Sequence, residues 1–198
     1  KNRSDAEIKR ALRDGVRTDA QNLSVVMPSW LFNNLTDADA DAIVAYLRSL
    51  TPVNQQIAPR QAPWDNAPTP VPFIDPETIP KPRSDYPNLA SANRGRYMAT
   101  MAGLCIDCHT PDDPTGAQHI DRTKFLQGNR AFPAFALGLP VPPYPATVYT
   151  SNITSDPATG VGNDTIDQIK AIFRTGKDRE GAVLCAPTHG GPNTPYTG

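Results

Sequence analysis

Apolar residues recur at helical spacing in four stretches of this chain, and each stretch carries its own start and stop signals. Ser4 stands as an N-cap with Glu7 three residues on, a capping box. Ile8, Leu12 and Val16 then fall on one face, and Gly15 is placed to end the helix. Thr36 opens the second pattern, with Asp37, Asp39 and Asp41 suited to its positive end. Ala40, Ile43, Val44, Leu47 and Leu50 follow as an i, i+3, i+4, i+7 stripe. A third helix is expected from a cap at Ser91 through Tyr97, Met98 and Met101. The fourth opens at Thr165, carries Ile166, Ile169, Ile172 and Phe173, and stops at Gly176. Prolines and turn residues between Phe132 and Thr159 predict loops, with at most a short strand near Thr147–Thr150. The pattern predicts a mostly α chain with long loops.

Proline use divides the 198 residues. Ten of the 22 prolines lie irregularly between Thr51 and Pro87. Proline lacks an amide donor and is excluded from helix interiors and central strands. Residues 51–90 are therefore expected to be an extended connector between a first unit at 1–50 and a second at 91–198. The two units repeat. An offset of 161 lays Ser4–Pro28 over Thr165–His189 without a gap, matching Ile8 with Ile169, Lys9 with Lys170, Arg13 with Arg174, Gly15 with Gly176 and Leu23 with Leu184. Five identities in 25 positions are few, but the caps and the helix–Gly–loop order correspond as well.

The most specific chemistry is Cys105-Ile106-Asp107-Cys108-His109, a C-x-x-C-H run. Two thiols at this spacing are the attachment signature of c-type haem, and the adjacent histidine is placed to ligate the iron from the proximal side. A zinc site would need a second ligand pair, and Cys185 is the one further cysteine. A thioredoxin-like pair would follow a strand, whereas a helical pattern leads into this motif. A net charge of −1 argues against a nucleic-acid partner. No run of 18 apolar residues is present, so membrane contact is expected only through a partner or a missing segment.

Taken together, Arg94-Gly95-Arg96-Tyr97 ahead of Cys105–His109, Ser151-Asn152-Ile153-Thr154, Ile169-Lys170-Ala171-Ile172-Phe173-Arg174-Thr175-Gly176, Met27-Pro28 and the helix from Thr36 to Leu50 resemble class I-like cytochromes c. The resemblance is strongest to multi-haem c-type cytochromes that serve periplasmic dehydrogenases as electron-accepting subunits. It implies small α-helical cytochrome domains, here two partial units joined by the proline-rich linker. On this reading residues 1–50 are the back half of one haem domain, and 91–198 are a second that lacks its last helix, since Thr197 stands where Thr36 opens that helix in the first. The resemblance also implies haem c at Cys105 and Cys108, a periplasmic location, and a role as a non-catalytic electron carrier between a dehydrogenase and a downstream acceptor.

In this family a Met-Pro before the last helix supplies the distal iron ligand, and Met27 matches that position. A thioether favours the reduced iron, so His/Met ligation raises the potential. The haem for Met27 would sit on an attachment motif that this chain does not contain. In the second unit Thr188 and His189 stand where the first has Met27 and Pro28. The distal side of the His109 haem is thus open to three arrangements: ligation by His189, a five-coordinate or water-bound site, or a ligand from elsewhere. Against ligation, His189 reads as a polar residue in the Gly190-Gly191-Pro192 turn. An open distal side would suit a haem enzyme or a gas- or peroxide-reactive domain, the alternative to electron transfer. Asn152 and Arg174, with Arg130 and Tyr149, are candidates to satisfy haem propionates. His119 is expected to be a solvated loop residue, and Met98 and Met101 to be packing residues.

Overall fold

The computed structural model describes residues 3–58, 71–142, 144–181 and 184. Cys185, Thr188 and His189 lie outside the described residues. The chain is mostly helical with one two-stranded sheet, compatible with a cytochrome c-like fold. It forms two compact units, Lys1–Cys105 with Asp113–His119, and Ile106–Asp112 with Ile120–Gly198. Among the described residues no helix is long and apolar enough to cross a membrane.

The first unit begins with α1 (Asp5–Arg13), closed by the Ser4–Glu7 capping box. Gly15 follows at φ +66°, where a Cβ would lie 2.4 Å from Ser29 Oγ, so both backbone and space require glycine. Its carbonyl accepts the Leu23 amide, which folds the next loop back on the helix end. The four-residue α2 (Ser29–Phe32) carries no periodicity that a sequence could show, yet it buries Trp30 and Leu31. α3 (Asp37–Ser49) starts at Thr36, whose hydroxyl accepts the Asp39 amide. It buries Ala40 and Val44 but leaves Leu47 and Leu50 exposed, so only the first half of the expected stripe is core. Two of the aspartates expected to serve the helix end also reach across to α1: Asp37 pairs with Arg13 and Asp41 with Lys9. Exposed pairs of this kind contribute about 0–1 kcal/mol each.

The described end of the proline-rich stretch packs into this unit. Ile74 and Ile79 are buried, and Ile74 donates its amide to the Trp30 carbonyl. Arg96 holds the same stretch by donating to the carbonyls of Pro76, Ile79 and Pro80. Arg96 lies on α4 (Leu89–Tyr97), which is capped by Asn88 rather than Ser91, because the Asn88 side chain accepts the Ser91 amide. From Met98 to Ala102 the helix widens into a π-turn. Within it the Thr100 hydroxyl bonds back to the Arg96 carbonyl. Met101 is core as expected, while Met98 is exposed. The short α5 (Cys105–His109) follows.

In the second unit β1 (Ala131–Pro133) pairs antiparallel with β2 (Thr147–Tyr149), with Phe132 opposite Val148. Among the described residues its buried apolar side chains are Ile106, Ile120, Phe125, Ala134 and Leu139. α6 (Ile166–Thr175) has the expected Thr165 cap, a capping box with Gln168, and a stop at Gly176 with φ +65°. Ile166 and Phe173 on it are exposed. Asp121 organises the loop before β1. The Thr123 hydroxyl and amide donate to its carboxylate, Lys124 pairs with it, and its pKa falls from 3.8 to about 2. A carboxyl depressed on folding adds stability that is present above its unfolded value and lost as pH falls through the folded one. Asp121→Asn is therefore expected to remove part of the acid sensitivity between pH 3.8 and about 2, measured as thermal midpoint against pH.

Candidate haem site

The C-x-x-C-H run forms a helix of its own, α5. The approach to it is tightly shaped. A Cβ on Gly103 would lie 2.4 Å from the Met98 carbonyl oxygen, and Leu104 turns the chain through φ +60°. Residues three and four apart share a helix face, so Cys105, Cys108 and His109 are brought to one side. Cys105 is half-buried, and burial raises its thiol pKa, keeping it protonated. Cys108 is exposed, and among the described residues no disulfide joins either cysteine.

His109 is 8% exposed, and its Nδ1 lies 2.7 Å from the Ser151 carbonyl oxygen. A carbonyl can only accept, so Nδ1 carries a proton, and in the neutral ring Nε2 is the nitrogen able to ligate a metal. Metal-ligating histidines are oriented in this way, with the far nitrogen donating to a carbonyl or carboxylate. Two thiols without a disulfide and an oriented imidazole on one short helix fit a covalently held haem.

The loop from Leu126 to Arg130 holds the helix from the other side. Gly128 donates its amide to the His109 carbonyl at 2.7 Å, and Leu126 donates to the Thr110 hydroxyl. Leu126, Gly128 and Asn129 all have φ between +61° and +73°. A Cβ on Gly128 would lie 2.4 Å from the Ser151 carbonyl carbon and 2.6 Å from its oxygen. Only glycine allows this loop to pass against the carbonyl that orients His109.

The candidates for propionate contacts are placed differently. Asn152 follows Ser151, but its side chain organises its own loop: Oδ1 accepts from the Thr154 amide and hydroxyl, and Nδ2 donates to Thr159. Arg174 is exposed on the last turn of α6, and Tyr149 is exposed on β2. Arg130 is buried and bonded to Asp107 and Asp112. Ser151, Gly128 and Arg130's grip on α5 were not evident from the sequence, because two of the three act through backbone contacts. The short spacing of Gly128, Asn129 and Arg130 was the one available signal of a special turn.

Met27 lies in the first unit, half-buried, in the turn before Pro28 and α2. It lines a cleft of about 350 Å³ together with Gly15, Leu23, Trp30, Val71 and Phe73. Asp14, Asn22, Ser24 and Ser29 also line it, so the cleft is mixed in polarity; its thioether is the donor that His/Met haem ligation uses. His119, expected in solvent, instead packs edge-on to Trp30 with ring centroids 5.1 Å apart.

No family model matches the chain. It is 28% identical over 182 residues to the fructose dehydrogenase cytochrome subunit of Gluconobacter japonicus, covering 86% of this chain and 33% of that protein. It is 28% identical over 193 residues to the cytochrome c subunit of the quinone alcohol dehydrogenase of Gluconacetobacter polyoxogenes, covering 90% and 37%. A shorter match, 32% over 100 residues, is to the gluconate 2-dehydrogenase cytochrome c subunit of Pantoea cypripedii, covering 50% and 18%. The chain thus spans about a third of the length of the first two cytochrome subunits. By sequence the chain is a relative of the cytochrome c subunits of dehydrogenases.

Proposed function

We propose that this chain is the haem-bearing part of an electron carrier that passes single electrons from a periplasmic dehydrogenase to a downstream acceptor. The observation that carries the reading is α5 itself, with two thiols and a histidine whose Nδ1 is held by the Ser151 carbonyl. When bound, haem c supplies a reversible one-electron couple. Cys105 and Cys108 would hold it by thioether bonds through every redox state. His109 would ligate through Nε2, its orientation kept by Ser151 and its backbone by Gly128. None of these roles makes or breaks a bond in a substrate, which suits a carrier. Met27, which lines the cleft beside Trp30, is the proposed distal ligand of a further haem attached elsewhere. Attachment of c-type haem outside the bacterial cytoplasm supports the periplasmic assignment.

A pyridine haemochrome assay with intact-protein mass tests this. One haem per chain, bound through Cys105 and Cys108, is expected. A chain without haem mass after expression with a c-type maturation system would overturn the reading. A spectrum of the reduced protein under carbon monoxide addresses the open distal position that Thr188 and His189 suggest. Slow or absent binding supports pure electron transfer; rapid, complete binding favours a haem enzyme or gas-reactive domain.

A further inference from the structure

Arg130 is a deeply buried cation beside α5, with its side chain 9% exposed. Its guanidinium donates to the Asp107 carbonyl and, at 2.6 Å, to the Asp107 carboxylate. Its other terminal nitrogen pairs with Asp112 at 2.9 Å, and Phe132 lies 5.4 Å beneath the plane. Asp107 is one of the two residues between the cysteines, and Asp112 follows His109 by three positions. One planar fork therefore ties the chain before the proximal histidine to the chain after it. A lysine carries the charge but presents a single ammonium, so it would not reproduce the fork.

The backbone of Arg130 is fixed by the same ribbon that orients His109. Its amide donates to the Thr150 hydroxyl, its carbonyl accepts the Thr150 amide, and Ser151 is next in the chain. The end of the β1–β2 sheet thus delivers two groups to α5, the guanidinium at Asp107 and the Ser151 carbonyl at His109. Charge matters as well as position. Two carboxylates flank the histidine, and Arg130 offsets one unit of their charge; the Asp107 arm is largely buried, where Coulomb interactions are stronger than in water, and the Asp112 arm is exposed.

We propose that Arg130 is a positioning residue of the C-x-x-C-H site, seating α5 and offsetting its flanking carboxylates so as to set the reduction potential of the haem held there. The inference rests on the haem reading given above. Removing the cation makes the surroundings of the site more negative by one charge. That favours the more positive, oxidised haem and lowers the potential.

The test is a spectroelectrochemical titration of the holoprotein carrying Arg130→Gln, Arg130→Lys or Asp112→Asn, each with its haem counted by pyridine haemochrome. Arg130→Gln should retain covalent haem and titrate at a lower midpoint than the wild type. Arg130→Lys should recover most of that shift. Asp112→Asn, whose side chain is 61% exposed, should fold normally and titrate at a higher midpoint. A side chain that served only packing would change the melting temperature and leave the midpoints where they were. With haem attached, an unchanged midpoint in Arg130→Gln or in Asp112→Asn overturns the proposal. If Arg130→Gln does not accumulate, Asp112→Asn decides alone. Absence of haem from the wild type would instead overturn the underlying assignment.

Discussion

Gly128→Ala should destabilise the second unit by about 2–5 kcal/mol and loosen the proximal histidine. Two costs combine. A side chain at φ +73° carries a penalty of about 1–2 kcal/mol, and overpacking adds about 1–3 kcal/mol. The Cβ would point at backbone, 2.4 Å from the Ser151 carbonyl carbon and 2.5 Å from the Asn152 amide nitrogen, and backbone has no rotamer to escape into. The displaced group is the same carbonyl that holds His109 Nδ1, so the damage reaches the ligand directly. Urea unfolding measures the first effect. The second is read as a weakened or heterogeneous low-spin spectrum in the haem-loaded protein. Gly138→Ala is the control, since it too has positive φ but a Cβ there meets nothing within 4 Å. Equal losses in the two variants would show that backbone strain alone accounts for the effect.

Replacing Cys105 and Cys108 together by alanine is expected to abolish covalent haem. Intact mass should fall by one haem, and haem staining of a denaturing gel should disappear. The consequence for folding follows from the size of the core. Among the described residues the interior holds five apolar side chains and a buried Thr110, and small domains with little apolar material depend on a staple or prosthetic group. The double variant should therefore accumulate poorly and be cleaved faster by protease in the second unit than the haem-loaded protein. Full accumulation with unchanged protease resistance would show that the unit folds without its cofactor.

What the sequence made legible follows from where the determining contacts lie. The caps at Ser4, Thr36 and Thr165 and the stops at Gly15 and Gly176 were readable because each is decided within four residues. The C-x-x-C-H motif was readable for the same reason, but the preceding helix was expected to run into it, and instead breaks at Gly103 and Leu104 so that the motif forms a short helix of its own. Asn88 won over Ser91 as a cap by accepting the amide three residues on, a choice between two good capping residues that local pattern does not rank. Ile74 is buried in a proline-rich stretch with its amide on the Trp30 carbonyl, more than forty residues earlier in the chain. Arg130 meets Asp107 across 23 residues, and the Ser151 carbonyl meets His109 across 42. A backbone oxygen has no residue type, so no pattern of side chains announces it. His119 looked solvated because its neighbours are polar, yet Trp30 gives it an aromatic face to pack on.

The π-turn at Met98–Ala102 has a consequence for helical phase. Bonds that skip five residues rather than four accommodate one extra residue in the helix wall. Tyr97, before the turn, bonds to Asp39 and the Thr36 amide, while Met101, within it, faces the core. Each residue of a regular helix advances the face by about 100°. Removing one residue from this stretch would close the turn into plain α-helix and swing Met101 by about that angle away from the core relative to Tyr97. The number of residues here is therefore held by two anchors, Tyr97 before the turn and Met101 within it.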